Sequence, residues 1–259
     1  MQLAASHYEA VREEHGTPII ILHGLFGSSR NWHPIARVLA ETSAVYALDL
    51  RNHGKSSHSD IMTYPAMAED IAEFMVHKHI SEARFIAHSM GGKVAMWLAL
   101  TQPQRVQKLV VVDIAPVNYQ HDFSTVLDAF AAVPLERISS RREADQYLSE
   151  YLSERDLRQF LLQNLQLKKG HYQWRLNLEV IKKNIKDITG FPDTGNIKPF
   201  EKRVLFVGGG QSDYLSRDYH AQTRQLFPLA SFSSIKNAGH WLHAEQPELF
   251  MTLIKPYLS

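Results

Sequence analysis

Five short runs in this chain are apolar almost throughout: Pro18 to Leu22, Val45 to Leu50, Arg84 to Ala87, Leu109 to Ile114 and Arg203 to Val207. A strand with one wet face alternates apolar and polar residues, so a run without alternation must be covered on both sides. Segments of helical periodicity separate these runs. Asn31 to Thr42 sets Ile35, Val38 and Leu39 on one face, with Pro34 in the first turn, where its missing N–H is tolerated. Pro65 to Lys78 aligns Met67, Ile71, Phe74 and Met75, and Gly91 to Thr101 forms a helix that stops before Pro103. The rhythm resumes after residue 200 with a helix near Asp218 to Phe227, a strand from Ser231 to Ile235 and a last helix opening at Pro247. An α/β architecture follows, with a mostly parallel central sheet and helices on both faces.

Residues 118–199 keep a different rhythm. Phe123, Val126, Leu127 and Phe130 recur at helical spacing, as do Tyr147, Leu148, Tyr151 and Leu152, and Ser140 with Glu143 suits a capping box. About eighty residues is too long for a bare crossover. The expectation is a single compact unit: a core of residues 1–117 and 200–259, with a helical cap of residues 118–199 over the carboxyl ends of the strands.

Composition excludes several classes. Apolar residues make up 44% and charged residues 21%, with a formal net charge of +1, so nothing marks the chain for nucleic acid or an acidic membrane surface. With no cysteine, disulfides and cysteine-based metal or redox sites are ruled out. Met1 to Gly16 lacks the basic and apolar blocks of a secretory leader, and the longest apolar run, Val94 to Leu100, is too short for a membrane span. The expected location is the cytoplasm.

The chemistry concentrates in Phe85-Ile86-Ala87-His88-Ser89-Met90-Gly91-Gly92. An apolar strand runs into a serine flanked by small residues and then directly into a helix. Small residues two before and two after the serine allow a tight turn that lifts its hydroxyl clear of the sheet, and Ala87 takes the place of the usual first glycine. The helix that follows aims its N-terminus at the developing oxyanion. His23-Gly24-Leu25-Phe26-Gly27 ends an earlier strand, so the N–H groups of Leu25 and Met90 pair as oxyanion donors, while His23 reads as a structural hydrogen-bonding residue. Asn237-Ala238-Gly239-His240-Trp241 follows the last strand and supplies His240 as the base. Of the fourteen histidines, His88, His240 and His243 could be imagined around zinc, but no His-Glu-x-x-His spacing or carboxylate ligand supports a metal.

These segments, with Asp49-Leu50-Arg51-Asn52-His53-Gly54-Lys55-Ser56 and Val112-Asp113-Ile114-Ala115-Pro116 between them, resemble the α/β-hydrolase superfamily, and within it the small bacterial YbfF-type acyl esterases. The resemblance runs over nearly the whole chain and is least specific in the cap. It implies the α/β-hydrolase fold with its cap inserted after the sixth strand, hydrolysis of a small-molecule acyl ester or thioester, and no metal or organic cofactor. Two aspartates compete to orient His240. Asp213, in the loop after Val207, resembles the placement in most superfamily members but lies one residue late, with Ser212 in the usual register. Asp113 ends an apolar strand, where an unpaired charge is costly, and the closer relatives resemble this placement; it is the preferred third member, with Ser89 and His240. Asp49, with Arg51 and His53 nearby, reads as a loop brace. Phe123, Leu127, Phe130, Tyr151 and Trp174 are candidates to line an acyl pocket, though helical spacing equally suits the cap's own core. Arg137, Arg141 and Arg142 are candidates for a coenzyme A phosphate or, more simply, a solvated helix end. A carbon–carbon bond hydrolase, a menaquinone-pathway-type lyase and a non-hydrolytic small-molecule receptor remain as rival readings.

Overall fold

The computed structural model describes residues 1–12 and 16–259; residues 13–15 of the stretch searched for a leader lie outside the described residues. The chain runs β1 (Ala5–Tyr8), β2 (Ile19–Leu22), α1 (His33–Leu39), β3 (Val45–Leu48), α2 (Tyr64–His77), β4 (Ala83–His88), α3 (Met90–Thr101) and β5 (Val106–Val112). There follow α4 (Ser124–Ala132), α5 (Arg141–Ser149), α6 (Arg155–Leu162), β6 (Leu165–Lys168), β7 (His171–Trp174), α7 (Leu178–Lys183) and α8 (Ile185–Thr189). The chain closes with β8 (Val204–Gly209), α9 (His220–Leu226), β9 (Ala230–Ile235), α10 (Leu242–Glu245) and α11 (Pro247–Leu258).

Seven strands form one sheet in the order β1-β3-β2-β4-β5-β8-β9, parallel except for the edge pair β1–β3. The non-alternating runs do what their composition requires. Ile20, Leu22, Phe85, Leu109, Val111 and Phe206 point into one core with α2 and α3. Ile19, Ile21, Ile86, Val110, Val112 and Val207 point into a second, with α1 and α11. Period-two geometry splits each run between two dry layers.

Three features were not anticipated. β1 lies in the amino-terminal stretch, whose half-exposed, mixed-polarity residues carry no apolar signal. The insertion follows β5, the fifth strand in chain order among the described residues, rather than a sixth. It also holds the antiparallel hairpin β6–β7 beside its helices, turning at Lys169 (φ +52°) and Gly170 (φ +84°). At α5, Ser140 Oγ accepts from Glu143 N at 3.2 Å, as a cap should, but the Glu143 carboxylate reaches back to Ser139 N and Oγ instead of Ser140. Among the described residues no helix is long and apolar enough to cross a membrane.

The loop after β3 is fixed by a buried ion pair. Arg51 Nε and Nη2 donate to the two Asp70 oxygens at 2.6 and 2.8 Å, and Nη1 and Nη2 donate to the carbonyls of Ile61 and Ala66. Asp70→Leu leaves the guanidinium buried without its partner and should lower the unfolding free energy by about 3–5 kcal/mol. Urea denaturation measures this, and adding Arg51→Met should recover a large part of the loss. Additive single losses would mean that the pair contributes little.

Candidate active site

The site lies at the carboxyl ends of five adjacent parallel strands, where open α/β sheets bind ligands. The loop after β2 carries Gly24 and Leu25, the turn after β4 carries Ser89, and the residue after β5 is Asp113. The loop after β8 carries Ser212, and the loop after β9 carries His240. Ser89 and Asp113 both adopt φ near +51°, a region that side-chain-bearing residues rarely enter. Their own amides hold them there: Ser89 N donates to Val112 O at 3.0 Å and Asp113 N to Val207 O at 2.9 Å. Each bond extends the sheet ladder one step past the strand end. The left-handed turn is why Asp113 leaves the apolar run of its strand and faces the site.

Small residues make the turn possible. A Cβ on Gly91 would stand 2.5 Å from His23 O, and one on Gly92 2.6 Å from Ile114 Cγ2, so α3 can start this close to β2 and β5 only without side chains there. Gly24 has the same constraint, 2.8 Å from His88 Nδ1.

His240 Nε2 lies 3.1 Å from Ser89 Oγ, and His240 Nδ1 lies 2.7 Å from Asp113 Oδ2. A carboxylate only accepts, so Nδ1 carries the proton and Nε2 is free to receive one from the serine. Asp113 is fully buried. Its remaining capacity is filled by Gly209 N on Oδ1 at 2.9 Å and Ser212 Oγ on Oδ2 at 2.5 Å. Ser212, in the loop after β8, therefore bonds the carboxylate that follows the neighbouring strand. Asp213 is exposed and makes no hydrogen bond to His240.

Three groups that hold His240 had no sequence signal. Glu245 accepts from Gly239 N at 2.6 Å and Trp241 N at 3.2 Å, clamping the loop from both sides. His88 Nε2 donates to the His240 carbonyl at 2.9 Å. Tyr214 stacks on the His240 ring at 4.1 Å between centroids. The His88, His240 and His243 rings pack at 4.6 and 4.8 Å between centroids, and among the described residues no group of three or more His, Asp or Glu is arranged to hold a metal ion.

The loop carrying Leu25 is held by neutral imidazoles. His23 Nδ1 donates to Gly24 O while its Nε2 accepts from Leu50 N at 3.0 Å. His53 Nδ1 donates to Arg51 O while its Nε2 accepts from Phe26 N at 3.2 Å. Asp49 braces the same loops, accepting from Ser29 N and Lys55 N. Among the described residues Leu25 N has no backbone acceptor, and Met90 N opens α3, where no intrahelical acceptor exists; both amides border the cavity at Ser89.

Of the five side chains expected to line an acyl pocket, Phe123 borders the cavities beside Ser89. Leu127 and Phe130 are buried within the insertion, Trp174 packs edge-on against Phe130 at 4.8 Å, and Tyr151 is exposed. Arg141 caps the carbonyls of Leu162 and Leu165, so it is no free phosphate ligand.

The family model described as "alpha/beta hydrolase fold" matches residues 17–247. The chain is 42% identical to the sn-1-specific diacylglycerol lipase ABHD11 of Danio rerio, over 94% of this chain and 78% of that one. It is 36% identical to the esterase YbfF of Escherichia coli K12, over the full length of both. Among solved structures, a marine microorganism esterase superposes with a TM-score of 0.94 at 38% identity, covering 99% of each chain.

The buried imidazoles tie stability to pH. Burial pulls His53 and His243 down to about 3 and lowers His23 and His88 as well, whereas an unfolded histidine titrates near 6.5. Between those limits the unfolded chain binds more protons, so stability falls as pH drops, by about 1.4 kcal/mol per pH unit for each histidine. Unfolding free energy should fall steeply below pH 6. His243→Phe keeps a ring against Trp32 and should make that fall shallower by about one histidine's share; an unchanged slope would show that His243 does not enter the fold neutral.

Proposed function

Because the chain belongs to the α/β-hydrolase family, we propose that it is an ester hydrolase working through an acyl-enzyme on Ser89. The observation that carries this reading is the unbroken relay Ser89–His240–Asp113, at 3.1 and 2.7 Å. Relatives named as an esterase and as a diacylglycerol lipase support the ester bond as the target.

In this mechanism Ser89 Oγ attacks the ester carbonyl as its proton passes to His240 Nε2. Asp113 stabilises the imidazolium and fixes its tautomer. The amides of Leu25 and Met90 hold the oxyanion, fixed by strand and helix before substrate arrives. His240 returns the proton to the departing alkoxide, the C–O bond breaks and the alcohol leaves. Water then gives its proton to His240, attacks the acyl carbon and releases the acid, with Ser89 recovering its proton. A thioester would follow the same steps. We read residues 118–199 as a cap on a core of residues 1–117 and 200–259, bounding the substrate space above Ser89. A receptor has no use for this relay, and no observation favours carbon–carbon cleavage over ester hydrolysis.

A p-nitrophenyl acetate assay tests the roles. Ser89→Ala should abolish turnover. Asp113→Asn leaves the imidazole in the wrong tautomer and should lower kcat by about three to four orders of magnitude. Asp213→Asn should stay within about twofold of wild type, since Asp213 is exposed and unbonded to His240. The reverse pattern would transfer the acid's role to Asp213.

A further inference from the structure

The substrate space around Ser89 is unequal on its two sides. One side is a cavity of about 30 Å³ bordered by Ser89, Met90, Ile114, Tyr119 and Ile188. The other is a groove of about 1020 Å³ that holds His240, Trp241, Leu157 and Phe160 on its walls. His240 borders the groove and not the small cavity.

Chemistry decides which part of an ester takes which side. The leaving oxygen must receive its proton from His240 Nε2, so the alcohol departs on the histidine's side. With the carbonyl oxygen on the amides of Leu25 and Met90, the acyl carbon's remaining substituent points away from His240, into the small cavity. A single water needs about 10–15 Å³ on the same measure, so 30 Å³ admits about two heavy atoms beyond the carbonyl carbon. Resting on the esterase reading above, we propose that this enzyme cleaves esters of a two- or three-carbon acid with a bulky, uncharged or cationic alcohol.

Part of the small cavity's wall is tied by buried hydrogen bonds. At its floor Lys93 Nζ donates to Val117 O, just before the insertion, and to Thr189 O, both at 2.8 Å, and to Gly190 O at 2.5 Å, at the end of α8 within it. Tyr119 Oη accepts from Ala115 N at 2.8 Å and donates to Tyr214 O at 2.5 Å, and Tyr64 Oη donates to Ile188 O at 2.5 Å. Lengthening the acyl chain towards Tyr64, Lys93 or Tyr119 would have to break bonds of buried groups, each costly to leave unmade. On the groove's α6 side the wall is apolar packing. Phe160 packs on Trp241 at 5.4 Å, and the amphipathic helix α6 presents Leu157 to the open space. Its charged lining is Asp122, Glu154, Asp156 and Glu245 against Arg30. This repels an anionic leaving group, so an acyl-coenzyme A, with its phosphates, is a poor fit.

The test is a 1-naphthyl ester series from acetate to octanoate, with acetyl-coenzyme A alongside, on wild type, Ser89→Ala, Ile188→Val, Ile188→Ala and Phe160→Ala. Wild-type kcat/KM should fall at least tenfold from acetate to hexanoate, and acetyl-coenzyme A should be slower than naphthyl acetate. Ile188→Ala should raise hexanoate relative to acetate about tenfold and Ile188→Val should do so in part, which keeps the test intact if the larger truncation fails to fold. Phe160→Ala should raise KM by a similar factor for every acyl length. A wild-type optimum at hexanoate or longer, with Ser89→Ala inactive, would overturn the short-acyl assignment and leave the esterase reading standing. Faster hydrolysis of acetyl-coenzyme A than of naphthyl acetate would overturn the assignment of the alcohol. Equal activity in wild type and Ser89→Ala, or none on any ester, would overturn the esterase reading itself.

Discussion

A carboxylate with no exposed surface exchanges all of its water for protein donors, and the Asp113 side chain does so with three. His240 Nδ1, Gly209 N and Ser212 Oγ surround it. This exchange constrains three strands at once. β5 must end in a left-handed turn to aim the side chain at the histidine, and β8 must bring Gly209 and Ser212 beside it. A Cβ on Gly209 would stand 2.1 Å from Gly239 O, so the loop that carries His240 can come this near only because residue 209 has no side chain. Satisfying the buried charge therefore also sets the approach of His240.

The strained positions are supported by ordinary ladder bonds. A serine at φ +51° and ψ −120° is unfavourable by roughly 1–3 kcal/mol in isolation. It persists because its amide completes the β4–β5 pairing and its carbonyl receives Lys93 N at 3.1 Å in the first turn of α3. The buried histidines follow the same economy. His23 and His53 each donate from Nδ1 and accept at Nε2, so a neutral ring satisfies two loop backbones where an imidazolium would confront an N–H. The loop bearing Leu25 is thus positioned by two buried imidazoles.

The sheet, the elbow and the histidine loop were legible because each rests on local rules. Non-alternating runs demand two dry faces, small residues permit the turn at Ser89, and Gly239-His240 follows the last strand. Asp113 could be preferred only by the cost of a lone charge, since nothing in Val112-Asp113-Ile114 shows that the chain turns left-handed there. Contacts between distant segments left no such trace. β1 pairs through its backbone and needs no apolar pattern, the β6–β7 hairpin is half exposed, and Glu245, His88 and Ser212 matter only through the loops they meet. The aromatic residues of the insertion were ambiguous because helical spacing marks a buried face without saying what buries it. Phe130 packs on Trp174 within the insertion, whereas Phe123, about two turns earlier at the start of α4, borders the cavity beside Ser89.

Helix α3 joins these parts mechanically. Its first residue supplies the Met90 amide, and Lys93, one turn later, ties down Val117, where the insertion leaves the core, and Thr189 and Gly190 at the end of α8. Burial draws that ammonium down to about 7, against three carbonyls and the ring face of Tyr119 at 4.7 Å. Buried charge is a poor source of net stability, but it is exacting about geometry, since each carbonyl must stay within hydrogen-bond reach. The Met90 amide, the cavity floor, the start of the insertion and the end of α8 are therefore tied together through one helix. On the proposed short-acyl reading, a change of specificity is easiest at Ile114 and Ile188, whose side chains make no hydrogen bond, and hardest at Lys93, whose three bonds would all be lost.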